Sequence, residues 1–213
     1  MGLFSRKKDT SSQEMELLGV AGQIATLKCL VLAGLKGISL RTTFAPESTT
    51  VDQVNSYQYL AQNGRVPTLT QGDFSVSGAR AIMTYLDIRG KGTSLTPRKA
   101  RVLGQQNYWI DICYQLLGPA VQAISDGNAT DEDKATCNSI LNRLNELLGE
   151  NLYVVGPMTF ADSNVAAYIY ALKVSNADFS QYPNINNWIT RLENEMTDVL
   201  LPMLTAAAVN KVA

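Results

Sequence analysis

Residues 62–86 read QNGRVPTLTQGDFSVSGARAIMTYL. Pro67 stands between short apolar runs, and Val66-Pro67-Thr68-Leu69 and Phe74-Ser75-Val76 are separated by the turn residues Gln71-Gly72-Asp73. That spacing predicts a hairpin. Ala79, Ile82, Met83 and Leu86 then recur at i, i+3, i+4 and i+7, the stripe of a helix laid against a core. The helix opens at Ser77-Gly78-Ala79, where first-turn amides and the positive end of the helix dipole face whatever lies before them.

Upstream, Met15 to Val20 reads as a strand, followed by a helix with Ile24, Leu27, Val31 and Leu35 on one face and Gly37 as its stop. Ile38, Leu40, Thr42 and Phe44 alternate with Ser39, Arg41 and Thr43, the period of a half-buried strand. A polar stretch from Pro46 to Gln62 reads as a loop with an irregular helix. The order up to Leu86 is therefore βαβαββα. Beyond Thr93-Ser94-Leu95-Thr96-Pro97 only helical patterns remain. Arg98 to Gln122 carries Leu103, Trp109, Ile112, Cys113 and Leu116; Thr130-Asp131-Glu132-Asp133 caps a helix lined by Ile140, Leu144 and Leu147 that stops at Gly149; and Thr159-Phe160-Ala161-Asp162 opens another through Val165, Ala166, Ile169 and Leu172. The fold class is α/β followed by all-α: a tail over 1–13, a first domain over 14–90, a linker over 91–97 and a helical domain over 98–213.

Composition excludes several chemistries. The 213 residues contain no histidine, which removes His-based general bases, Ser-His and Cys-His nucleophile pairs and the usual mixed zinc sites. No metal is expected. Eighteen basic residues stand against 19 acidic ones, so no basic face for nucleic acid is expected. Cys29, Cys113 and Cys137 are widely spaced within apolar stretches and read as core thiols of a reducing compartment. With no signal peptide visible, the expected location is cytoplasmic. The run Cys29-Leu30-Val31-Leu32-Ala33 is far shorter than the ~20 residues that span a bilayer. Membrane association is expected only if the start Met1-Gly2-Leu3-Phe4-Ser5-Arg6-Lys7-Lys8 serves as an anchor.

Taken in order, these pieces resemble the soluble glutathione transferase superfamily. The carriers are Gly64-Arg65-Val66-Pro67-Thr68-Leu69, Ala81-Ile82-Met83-Thr84-Tyr85-Leu86, Leu95-Thr96-Pro97, the run from Leu152 to Asp162 and Tyr182-Pro183-Asn184-Ile185-Asn186-Asn187-Trp188. The resemblance implies a thioredoxin-like amino-terminal domain joined to an all-helical one. It also implies a cis bond before Pro67 that turns Val66 toward a thiol peptide, and an electrophile cleft lined by Tyr108, Trp109, Ile112 and Tyr114. Glutathione is the implied ligand, with a homodimer or a subunit of a larger assembly as the implied organisation.

The family pattern fails where its chemistry resides. Its thiolate donor, a hydroxyl or thiol at the start of the first helix or a tyrosine ending the first strand, falls here at about Gln23 or Gly19. Gln23 and Thr26 are the remaining donor candidates, with Cys29 further in. The acid or amide and the serine that grip the γ-glutamyl end fall on Gly78 and Ala79. Losing such hydrogen bonds costs about 1.5–3 kcal/mol when charge-assisted and about 0.5–1.5 kcal/mol otherwise. Ser77, one residue early, reads as an N-cap, and Arg65 and Arg80 offer cations for an anion. The expectation is a glutathione site with a weakened grip, in a binding or scaffold module similar to translation-associated members of the family. The alternative is an active transferase that conjugates or reduces small electrophiles.

Overall fold

A computed structural model describes residues 14–45 and 66–196. The amino-terminal tail, the segment from Pro46 to Gln62 for which an irregular helix is expected, Arg65, and the end of the expected helical domain over 197–213 lie outside the described residues.

The first domain is built on a four-stranded sheet ordered β2-β1-β3-β4. Its strands are β1 (Glu16–Val20), β2 (Arg41–Ala45), β3 (Thr68–Gln71) and β4 (Phe74–Ser77). β1 runs parallel to β2 and antiparallel to β3, and β3 and β4 form the hairpin with Leu69 opposite Val76. The β1–β2 connection passes through α1 (Ile24–Leu35), and α2 (Ala79–Arg89) follows the hairpin. This is the thioredoxin-like arrangement. The alternation predicted after α1 holds, with Ile38 and Leu40 buried and Ser39, Arg41 and Thr43 exposed. Gly37 ends α1 in the left-handed region at φ 62°, where an L side chain is disfavoured.

α1 is buried over more than one face: Leu27, Cys29, Leu30, Val31, Leu32 and Ala33 are all inaccessible. The one-sided stripe predicted for it was too narrow, because α1 packs against α2 on one side and against the helical domain on the other. That second domain comprises α3 (Ala100–Ile112), a π-helical turn (Cys113–Leu117), α4 (Gly118–Ser125), α5 (Asp131–Glu150), α6 (Phe160–Val174) and α7 (Pro183–Glu195). The π turn widens the helix locally, and the burial phase slips by one residue: Leu117 is buried while Leu116, predicted to face the core, is 51% exposed. α5 buries Cys137, Leu141, Leu144 and Leu148, with Ile140 and Leu147 at the edge of the stripe, since it packs between α4 and α7.

Two capping boxes hold the starts of α5 and α6. Thr130 Oγ1 accepts from the Asp133 amide while Asp133 accepts from the Thr130 amide. In the second, Asp162 Oδ2 accepts from the Thr159 amide at 2.8 Å, and Oδ1 accepts from the Val154 amide and from Trp188 Nε1. Asp162 thus ties α6, α7 and the loop before them together from a fully buried position.

A second buried carboxylate joins the two domains. Asp87, near the end of α2, pairs with Lys36 Nζ at 3.1 Å, with both side chains almost inaccessible. Asp87 also accepts from the Ser94 hydroxyl and the Leu95 amide, and Lys36 donates to the Thr93 carbonyl. The segment predicted as a linker is therefore fastened to the end of α1, and the Leu95 carbonyl accepts from the Phe160 amide at the head of α6.

Candidate functional site

Where α1 and α2 meet the helical domain, a cavity of about 1120 Å³ opens. α1 supplies Ile24, Ala25 and Lys28; α2 supplies Ala79, Arg80, Met83 and Thr84. The opposite wall is Leu103, Gln106, Asn107, Ile110 and Asp111 of α3, then Tyr114 in the π turn and Phe160, Asn164 and Tyr168 of α6. Its lining is mixed, apolar on both sides with isolated charges.

The predicted thiolate donors fare differently. Gln23 is the exposed N-cap residue of α1 and makes no side-chain cap hydrogen bond. Thr26 is fully buried, and its Oγ1 accepts from the Val20 amide at 3.1 Å. It does not line the cavity, because it sits on the face of α1 that covers β1. A Cβ on Gly19 would clash with Thr26 Cγ2, so the end of β1 has no room for the tyrosine that the resembled family's pattern places there. Burial pushes the Cys29 thiol up to about 12, which keeps it protonated at neutral pH.

At the other helix start, Gly78 is the N-cap of α2, at φ 94° and ψ 130°, and no side chain caps this helix. The positive φ suits glycine and disfavours the long side chain that the family pattern places there. Ser77 is not the N-cap predicted for it. It is the last residue of β4, opposite Thr68, and its hydroxyl is 2.7 Å from Thr68 Oγ1. Ala79 and Arg80 do line the cavity. The Val66–Pro67 bond is cis, and the Pro67 carbonyl accepts from the Gly78 amide, so this loop and the head of α2 are held side by side.

Of the cleft wall expected from sequence, Tyr108, Trp109 and Ile112 lie elsewhere. Tyr108 is 46% exposed and its hydroxyl accepts from Arg143 of α5, Trp109 is buried, and Ile112 is half-buried; none of them lines the cavity. At about 100° per residue, positions 103, 107, 110 and 111 share one face of α3 while 108 and 112 share the opposite one. Tyr114 is the predicted member that does line it.

Sequence reasoning passed over Lys28 and Tyr168. Lys28 Nζ donates to Tyr168 Oη at 3.1 Å and lies 4.7 Å from the centre of that ring. Burial lowers the ammonium from the ordinary lysine range, and burial raises the Tyr168 phenol so that it keeps its proton. The available signal was that Lys28 is the single charged residue in IATLKCLVLAGL. Among the described residues, no group of three or more His, Cys, Asp or Glu is placed to hold a metal ion, and no helix is long and apolar enough to cross a membrane.

No protein-family model matches the chain. Glutathione S-transferase F14 of Arabidopsis thaliana is 24% identical over 151 residues, covering 61% of this chain and 59% of that protein, so the chain spans about three fifths of this relative's length. Among solved structures, a delta-class glutathione transferase of Nilaparvata lugens is 25% identical, with 91% of this chain and 99% of that chain covered at a TM-score of 0.67. The unclassified glutathione S-transferase 2 of Bombyx mori superposes with a TM-score of 0.75 at 22% identity, over 93% of this chain and 95% of that one. Glutathione S-transferase 1-6 of Anopheles dirus species B does so with 0.74 at 19%, over 92% and 98%.

Proposed function

From the premise that this chain is a glutathione-transferase-like protein, a thioredoxin-like domain joined to an all-helical one, we propose that it is a non-catalytic binding module with a degenerate glutathione grip. The observation that carries this reading is the commitment of Thr26. Its hydroxyl is fully buried and engaged by the Val20 amide, so it does not present itself to a thiol in the cleft. Gly78 and Ala79 supply no side-chain donor at the head of α2, which leaves backbone amides, the helix dipole and the Arg80 side chain on the cavity wall as the attraction there among the described residues. Glutathione binds weakly on this reading, without activation of its sulfur.

Association is the role that remains for such a frame. Ile88, Tyr114 and Leu152 are exposed at 65% or more, offering apolar contacts to a second copy or to another protein. A homodimer or a subunit of a larger cytoplasmic assembly fits, with membrane contact if the basic tail at Arg6-Lys7-Lys8 serves as an anchor. An active transferase is the competing reading, favoured by the large cavity beside an exposed Gln23.

Calorimetric titration of glutathione into the purified protein separates the two, paired with turnover of a general aryl halide at saturating thiol. The expected result is no measurable heat until millimolar ligand and no conjugation above the uncatalysed rate. A micromolar dissociation constant with turnover overturns the proposal.

A further inference from the structure

The fold draws two lysines of the first domain inward in different ways, Lys36 fully buried and Lys28 half-buried. Lys36 is neutralised by Asp87 and belongs to the domain joint. Lys28 has no carboxylate within ion-pair reach among the described residues; its polar partner is the neutral hydroxyl of Tyr168. The thiols of Cys29 and Cys113, which flank it, are pushed up to about 12 by burial and carry no charge at neutral pH. Arg80 and Asp111 are the charged side chains that share its cavity, one of each sign. Lys28 also opens onto that cavity beside Ile24, Ala25 and Met83, so an apolar molecule lodged there lies against an amine that burial disposes to lose its proton.

We propose that Lys28 is a nucleophilic amine that captures apolar aldehydes in the interdomain cavity as an imine, with Tyr168 as the adjacent proton donor. Lys28 first releases a proton to water. The Nζ lone pair then forms a bond to the carbonyl carbon, and the carbonyl π pair moves to oxygen, which takes the Tyr168 proton. Tyr168 is reprotonated from the nitrogen. The nitrogen lone pair then forms the carbon–nitrogen double bond as the hydroxyl departs, and the remaining N–H proton leaves with it as water, so amine and aldehyde become imine and water, with no oxidant or reductant required. Nothing in this step involves glutathione, so it stands or falls independently of the grip at Gly78 and Ala79.

The test is to incubate the full chain at neutral pH with cinnamaldehyde and sodium cyanoborohydride, which reduces the imine to a stable secondary amine, and to map the adducts over time by peptide mass spectrometry. Lys28 is expected to be the first lysine modified. Lys28→Arg should lose this early adduct while slow surface labelling continues, and Tyr168→Phe should slow it, with the fold of both variants checked by circular dichroism. Early labelling spread evenly over Lys91, Lys99, Lys134 and Lys173, or an unchanged early adduct in Lys28→Arg, overturns the proposal. An undiminished rate in Tyr168→Phe removes Tyr168 from the step.

Discussion

Thr26 and Gly19 show how two adjacent residues close off a chemistry. Thr26 folds its hydroxyl back onto the Val20 amide, and the space that a side chain at position 19 needs is already occupied by its methyl group. Gly19→Ala should therefore destabilise the protein by about 1–3 kcal/mol through overpacking. Thr26→Ala should cost about 0.5–1.5 kcal/mol by removing the hydrogen bond to the part-buried Val20 amide. Because the second change removes the atoms that the first one strikes, the double variant should be more stable than the sum of the two losses predicts. Urea denaturation of the four proteins checks this, and strict additivity would show that the two side chains do not compete for one space.

At the scale of elements, α6 is the helix most dependent on a single carboxylate. Asp162 accepts from the amides of Thr159 and Val154 and from the Trp188 indole, yet burial outweighs these bonds and raises its acid to about 6. Its folded value therefore lies above the ordinary carboxylate value of 3.8. Between those two values the native state holds more protons than the unfolded one, so the stability contributed by Asp162 is fully present below about 3.8 and is lost as pH rises through about 6. Denaturation midpoints of wild type and Asp162→Asn measured from acid to neutral pH should show the margin between them changing across that window and constant above it. A margin independent of pH would mean that Asp162 titrates as it does in the unfolded chain. The π turn makes the opposite point about helices: one widened turn is enough to exchange the roles of Leu116 and Leu117.

For the whole molecule, the decisive contact is the one between Lys36 and Asp87, because it fastens the last turn of α2, the end of α1 and the segment entering the helical domain at one point. Asp87→Ala leaves a buried ammonium without its partner and should cost about 3–5 kcal/mol. Replacing both partners, as in Lys36→Met with Asp87→Leu, should recover much of that loss, since the penalty lies in an unpaired charge rather than in the absence of a pair. Thermal unfolding of the three variants measures the difference; a double variant no better than Asp87→Ala would show that geometry, not charge, is what the pair supplies.

Most of the fold was legible from the chain alone, for a local reason. The alternation from Ile38 to Phe44, the stop at Gly37, the stripe of Ile82, Met83 and Leu86 and the boxes at Thr130 and Thr159 all express geometry set within a few residues, where side-chain period and backbone φ leave little choice. The destinations of side chains were a different matter. That α3 and the π turn bring Asp111 and Tyr114 to the cleft and leave Tyr108 outside it, that Thr26 serves β1, and that Lys36 is buried against a carboxylate while Lys28 is half-buried against a phenol depend on which distant helix or strand lies against each face. Those neighbours are brought together by tertiary packing, so no window of sequence contains them.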